Sequence, residues 1–78
     1  MSTSVTHISK GYKFTATRDG EKVTIKRDTT TTVGAWRWDE EDRCIVAVTY
    51  QDLLPGIDAT EDVLQALTRL LRAAARPD

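Results

Sequence analysis

The chain has 78 residues, of which 29% are charged and 40% hydrophobic, and its net charge is −1. This length allows one domain, 1–78, and the composition is typical of a folded chain rather than a disordered one. The chain has no run of about 20 apolar residues and no signal-peptide pattern. The single cysteine, Cys44, excludes an internal disulfide. The single histidine, His7, and this distant cysteine cannot form a tetrahedral zinc site. We therefore expect a cytoplasmic protein with no cofactor.

Charge is distributed unevenly along the chain. Residues 1–27 carry a net charge of +4, residues 28–62 a net charge of −7, and residues 63–78 a net charge of +2. Blocks of opposite sign can pair within a fold or attract a charged partner. Both uses remain open at this stage.

The first hairpin is predicted from the dipeptide Asp19-Gly20. Residues 1–9 are expected to form a flexible N-terminus, and the sheet is predicted over residues 11–50. Alternating segments at 12–17 and 22–27 flank Asp19-Gly20, which is typical of a two-residue turn.

A turn centred on these two residues sets a specific strand register. Phe14 then faces Ile25, and the apolar side chains of both strands share one face of the sheet. Lys13 faces Lys26, a like-charge pair that costs a few tenths of a kcal/mol.

A second hairpin is predicted from Val33 to Tyr50. Its polar loop is Asp39-Glu40-Glu41-Asp42, and its return strand, 44–50, is apolar on both faces. The loop is interpreted as a solvated hairpin tip because it lacks the spaced oxygen ligands of a calcium site.

A helix is predicted over residues 58–76, after the turn at Pro55-Gly56. Asp58 is the expected N-cap, and Glu61 completes a capping box. One apolar stripe follows helical spacing: Val63, Leu64, Leu67, Leu70, Leu71 and Ala74.

These elements predict an α+β fold. An antiparallel meander of three to four strands is followed by one C-terminal amphipathic helix packed on one sheet face (ββββα). A single helix covers only one face, so apolar groups on the other face would meet water, a second copy or a target.

The segment Trp36-Arg37-Trp38 places both indoles on the same face of a strand, with Arg43 expected near Trp38. On the open face, these four residues would form a partner patch, because tryptophan and arginine concentrate binding energy. The alternative is that both indoles lie in the core beneath the helix. In that case Val33, Ala35, Cys44, Val46, Val48 and Tyr50 would occupy the open face.

Two basic groups are candidate anion-binding surfaces. The lysine–threonine face of the first hairpin contains Lys13, Lys22 and Lys26 and is joined by Lys10; it could contact nucleic acid or an acidic protein. Arginines also line the exposed side of the helix: Arg69, Arg72 and Arg76. Both groups have an ordinary interpretation, as a solvated sheet face and as cations near a helix C-terminus.

The sequence offers no catalytic set. Cys44 is interpreted as a small hydrophobe in a strand, with no base near it, and the glycines do not form a phosphate-binding loop. A small enzyme or a metal protein is therefore the least favoured class, and no small-molecule substrate is inferred.

The favoured function is a non-enzymatic protein-interaction or regulatory module that self-associates through the open sheet face. The alternative is a nucleic-acid-binding domain that uses the lysine–threonine face. In topology alone, the predicted fold is similar to the arm-binding domains of phage-type integrases and to the last part of double-stranded-RNA-binding domains. No motif residue of either family can be matched here, and a pI near 5.7 argues against a nucleic-acid partner.

Overall fold

The computed structural model describes residues 2–31, 35–49 and 60–74, which form six strands and one helix. The elements are β1 (Ser2–Ser9), β2 (Tyr12–Asp19), β3 (Lys22–Arg27), β4 (Thr30–Thr31), β5 (Ala35–Asp39), β6 (Cys44–Thr49) and α1 (Thr60–Ala74). The sheet is antiparallel in the order β1-β2-β3-β5-β6, and the short β4 also pairs with β3. The predicted α+β class, a sheet followed by one helix, is confirmed. The sheet has more strands than the three to four predicted.

Two strands are additional: the two-residue β4, and β1, where the sequence indicated a flexible terminus. Residues 2–9 pair with β2 over the full length of both strands. Lys10 and Gly11 connect them, both at positive φ (55° and 80°), as a two-residue type I′ turn requires. The side chain of Val5 packs against the core. The expectation that this segment lies outside the sheet is therefore wrong.

The β2–β3 hairpin forms two residues away from its predicted register. Ala16 faces Ile25, whereas a turn centred on Asp19-Gly20 would have placed it opposite Val23. Gly20 and Glu21 are the central turn residues, and φ is positive at Gly20 alone (64°), as in a type II′ turn. Because the shift is an even number of residues, every side chain stays on its predicted face.

The observed register also removes the predicted opposition of Lys13 and Lys26. Lys26 faces Thr15. Lys13 lies beside Asp28, whose N–H donates to the Lys13 carbonyl at 2.7 Å. In return, the Lys13 N–H donates to the Asp28 carboxylate at 3.2 Å. A carboxylate therefore lies where a second lysine was predicted.

The β5–β6 hairpin closes one residue later than predicted. Asp39 is the last residue of β5, opposite Cys44, so the loop runs over residues 40–43. The Asp39 carboxylate accepts hydrogen bonds from the N–H groups of Glu41 (2.9 Å) and Asp42 (3.4 Å). Side-chain capping of this kind is a common role of aspartate at turns. Arg43 completes the loop at a φ of 54°.

The core lies between one face of the sheet and α1. Alternate residues of the strands and one stripe of the helix are buried: Phe14, Ala16, Val23, Ile25, Trp36, Trp38, Ile45, Val63, Leu67 and Leu71. We call the other side of the sheet the open face. The helix contacts β1, β2 and β6, and β1 and β6 are the two edges of the sheet. The sheet therefore curves around the helix.

The helix stripe differs in part from the prediction. Leu70 is 37% exposed and Ala74 is exposed, whereas Thr60 and Thr68 are buried. The buried Thr68 hydroxyl accepts a hydrogen bond from the Ile45 N–H at 3.2 Å, which satisfies this polar group. The predicted N-cap at Asp58, the turn at residues 55–56 and the helix end beyond residue 74 lie outside the described residues.

Candidate functional site

The two tryptophans belong to the core and not to a surface patch. Trp36 is 5% exposed and Trp38 is 2% exposed, on the face covered by α1. Arg37, between them in sequence, is exposed on the open face. The partner patch that would combine both indoles with Arg37 and Arg43 therefore does not exist, and the core interpretation of Trp36 and Trp38 is correct.

Arg18 takes the position that the sequence assigned to Arg43. Its guanidinium lies 4.7 Å from the centre of the Trp38 ring. Its Nε donates to the Gly20 carbonyl at 2.8 Å, and it forms an ion pair with Glu40. Part of the segregated charge is therefore paired within the fold, across the tips of two hairpins.

The lysine–threonine face is real but is not uniformly basic. Lys13, Lys22 and Lys26 share the open face with Thr15, Thr17 and Thr24. Asp19 is the cross-strand neighbour of Lys22, and Asp28 lies beside Lys13. Lys10 lies apart, in the β1–β2 turn.

One like-charge pair lies on the described part of the open face. Lys22 of β3 lies directly opposite Arg37 of β5, an arrangement that destabilises a sheet slightly. Two carboxylates close to lysines nevertheless weaken the case for a nucleic-acid surface, which is typically a continuous basic patch.

The predicted arginine stripe of α1 is partly occupied by internal contacts. The guanidinium of Arg72 donates from Nε to the Arg43 carbonyl and from Nη2 to the Asp42 carbonyl at 3.0 Å. Arg72 thus attaches the helix to the β5–β6 loop. Arg69 is exposed, and Arg76 lies outside the described residues.

Cys44 and His7 do not form a nucleophile–base pair. Cys44 lies on β6 and faces the open side, while His7 lies on β1 opposite the core residue Phe14. The two side chains therefore belong to opposite edges and opposite faces of the sheet. Nucleophilic catalysis by cysteine requires a nearby base, and His7 is too far from Cys44 to serve as one.

The two edges of the sheet differ in how they are covered. At β6, an open groove separates the strand from α1, with Ala47 and Leu64 among its apolar lining residues and Glu61 and Arg69 among its charged ones. At this edge the Thr68 hydroxyl accepts the hydrogen bond of the Ile45 N–H. The helix thus covers part of the β6 edge.

The edge at β1 is also contacted by α1, but the strand itself carries none of the usual edge protection. Its sequence, STSVTHIS, contains no acidic residue, lysine, arginine or proline. Natural edge strands commonly carry charge, proline or a bulge, because unpaired backbone groups would otherwise accept another strand.

The direction of the unpaired backbone groups on β1 follows from the ladder. The Asp28 N–H bonds to the Lys13 carbonyl, so Lys13 directs its backbone groups towards β3. Backbone direction alternates along a strand, so Phe14 points towards β1, and its partner His7 points back towards β2. By the same alternation, four residues of β1 direct their N–H and C=O groups outward: Ser2, Ser4, Thr6 and Ile8.

Sequence reasoning missed this edge, although its signal was present. Val5, His7 and Thr3 alternate with serines and threonines, which is the period of a strand.

Among the described residues, no helix is both long enough and apolar enough to span a membrane. Comparison with protein-family models, curated proteins and solved structures finds no match to this chain.

Proposed function

We propose that this protein is a non-enzymatic protein-interaction module that receives a partner strand along β1. The observation that carries the proposal is an eight-residue edge strand with no lysine, arginine, aspartate, glutamate or proline and with outward-directed backbone groups. Strand addition of this kind gains affinity from main-chain hydrogen bonds and specificity from alternate side chains.

The contact is assigned to the edge rather than to the open face. Threonines and lysines occupy the centre of the open face. Cys44 and Val46 lie on this face as expected, but on the edge strand β6, and Ala35 lies on β5. The exposed Ile8 (69%) and Val48 (63%) also belong to the edge strands, and Val33 and Tyr50 lie outside the described residues. The face itself therefore lacks the apolar centre that a stable interface uses.

Of the two edges, β1 is the better acceptor. It offers eight residues against six in β6. At β6, Thr68 already accepts the hydrogen bond of the Ile45 N–H. A partner strand at β6 would compete with the helix, whereas a strand at β1 would extend the sheet without breaking a described contact.

The test uses proline at an outward position. Thr6→Pro removes an N–H that points away from β2, so it leaves the β1–β2 ladder intact while blocking strand addition. Thr6→Val is the matched control, because it keeps the N–H and the strand propensity.

Tagged wild-type chain and both variants would be used for affinity purification from the native host, with the partner identified by mass spectrometry. We expect the wild type and Thr6→Val to retain the same protein partner, which can include an untagged copy, and Thr6→Pro to lose it. Retention of that partner by a folded Thr6→Pro variant would refute strand addition at β1.

A further inference from the structure

We infer that the strand that β1 receives is β1 of a second copy of this chain, antiparallel about a two-fold axis that passes beside Val5. This inference rests on the proposed function, since it names the partner of the same edge. The argument uses the charge of β1, its backbone direction and the side of α1 that lies next to it.

The charge of β1 permits pairing with itself. A two-fold axis pairs the first half of the strand with the second half of its copy, so a charged edge brings like charges together unless the two halves carry opposite signs. β1 contains no lysine, arginine, aspartate or glutamate, so no register along it incurs this cost. Its serines, threonines, Val5 and Ile8 are compatible with a strand on either side.

The backbone direction limits the registers. Ser2, Ser4, Thr6 and Ile8 point outward, so these residues must pair with one another across the axis. The register that uses all four places Ser2 opposite Ile8 and Ser4 opposite Thr6, each pair occurring twice by symmetry. Val5 then lies opposite its own copy, in a position where the two side chains approach most closely.

The helix supplies an independent observation. At 3.6 residues per turn, Thr68 and Arg72 lie on the β6 side of α1, where both contact the β6 hairpin. Leu70 and Ala66 then lie on the opposite flank, towards β1, which α1 also contacts. Leu70 is 37% exposed there.

Pairing of two β1 strands explains this exposed apolar flank. A two-fold axis perpendicular to the sheet keeps both helices on the same face of the joined sheet, so each helix would present its Leu70 flank towards the other across the axis. Each Leu70 would then be covered by the helix of the other copy. The joined sheet would have two helices side by side over one continuous core.

Cysteine cross-linking tests the register. In a background of Cys44→Ala, Val5→Cys places two thiols at a closely spaced non-hydrogen-bonded pair, within the range of a disulfide. Thr3→Cys is the matched control: it lies on the same face, but the two copies would be four residues apart along the strand, roughly 13 Å. We expect mild oxidation to convert Val5→Cys, and not Thr3→Cys, into a dimer on a non-reducing gel.

A second variant tests the helix contact without altering β1. Leu70→Glu should abolish the cross-link of Val5→Cys, because it brings two carboxylates into the helix–helix contact. Gln65→Glu, on the groove side of α1, should leave it unchanged. Light scattering on the native chain should give a dimer-sized mass, which Leu70→Glu reduces to that of a monomer.

The remaining outcomes overturn the inference in identifiable ways. Equal cross-linking of Val5→Cys and Thr3→Cys would indicate random collision, and cross-linking of Thr6→Cys in place of Val5→Cys would indicate another register. A monomeric mass with no cross-link would exclude the second copy. In that case, if Thr6→Pro still abolished the capture of a different protein, the proposed strand addition at β1 would stand without the second copy. If Thr6→Pro did not affect capture, both the strand addition and the second copy would be refuted.

Discussion

Truncation of Trp38 to alanine tests the placement of the two indoles in the core. Trp38 is 2% exposed, so nearly the whole of a side chain that buries about 150–250 Å² is removed from water. At about 25 cal/mol per Å², that area corresponds to about 4–6 kcal/mol. Measured truncations of this kind cost about 3–5 kcal/mol, and we expect a loss in this range for Trp38→Ala.

The loss is large relative to the stability of so small a domain. At roughly 0.05–0.15 kcal/mol per residue, a chain of this length has a free energy of unfolding of about 4–12 kcal/mol. Urea denaturation followed by far-ultraviolet circular dichroism should therefore show a midpoint lowered by at least about 1 M. If Trp38→Ala shows no folded baseline even without urea, its loss of stability lies at the upper end of the expected range of about 3–5 kcal/mol.

Arg37→Ala is the matched control for this measurement. Arg37 adjoins Trp38 in sequence but is exposed on the opposite face, so its truncation should change the free energy of unfolding by less than about 0.5 kcal/mol. If Trp38→Ala were as mild as Arg37→Ala, the indole could not lie beneath the helix, and the assignment of the two faces would be wrong.

Two further substitutions test individual contacts. Thr68→Val keeps the shape of the side chain but leaves the Ile45 N–H without its acceptor, so it should lower the free energy of unfolding by about 1–3 kcal/mol in urea denaturation. The control Thr68→Ser keeps the hydroxyl and should lose less. Equal losses in the two variants would exclude the hydroxyl as the cause. Arg37→Glu places a carboxylate opposite Lys22 and should raise the free energy of unfolding by about 0.2–1 kcal/mol at low salt. That gain should shrink at high salt, and a gain independent of salt would show that charge is not its source.

The sequence contained enough information to predict the fold class and the faces of the strands. Period-two alternation assigned Phe14 and Ile25 to one face, and helical spacing assigned Val63 and Leu67 to another buried surface; these assignments agree with the structure. Such patterns are reliable because most of the side chains that meet in a core are apolar, so the core-facing positions repeat with the period of the element.

Register and strand count were harder to predict, for local reasons. Asp19-Gly20 and Gly20-Glu21 both place a glycine at a position of positive φ, so the dipeptide locates the turn to within one residue only. Val5 is a single apolar residue among serines and threonines, so β1 resembles a polar terminus. Its pairing with β2 depends on a type I′ turn at Lys10-Gly11, and lysine is not a usual residue at positive φ.

The location of the tryptophans could not be predicted from alternation alone. Alternation places Trp36 and Trp38 on one side and Arg37 on the other, but it does not say which side the helix covers. That choice depends on contacts between segments far apart in sequence, such as Thr68 with Ile45. The outward direction of the backbone groups on β1 could not be predicted either, because it follows from the hydrogen bonds observed between the strands.

The position of α1 has a consequence for how the protein is made. Among the described residues, the helix follows all six strands and contacts both edges of the sheet. A ribosome that has released only the described strands presents Phe14, Ile25 and Trp38 to solvent, with no helix over them. Surfaces of this type favour aggregation and chaperone binding during synthesis. The sheet therefore stays exposed to both until the fifteen residues of α1 have been synthesised and packed on it.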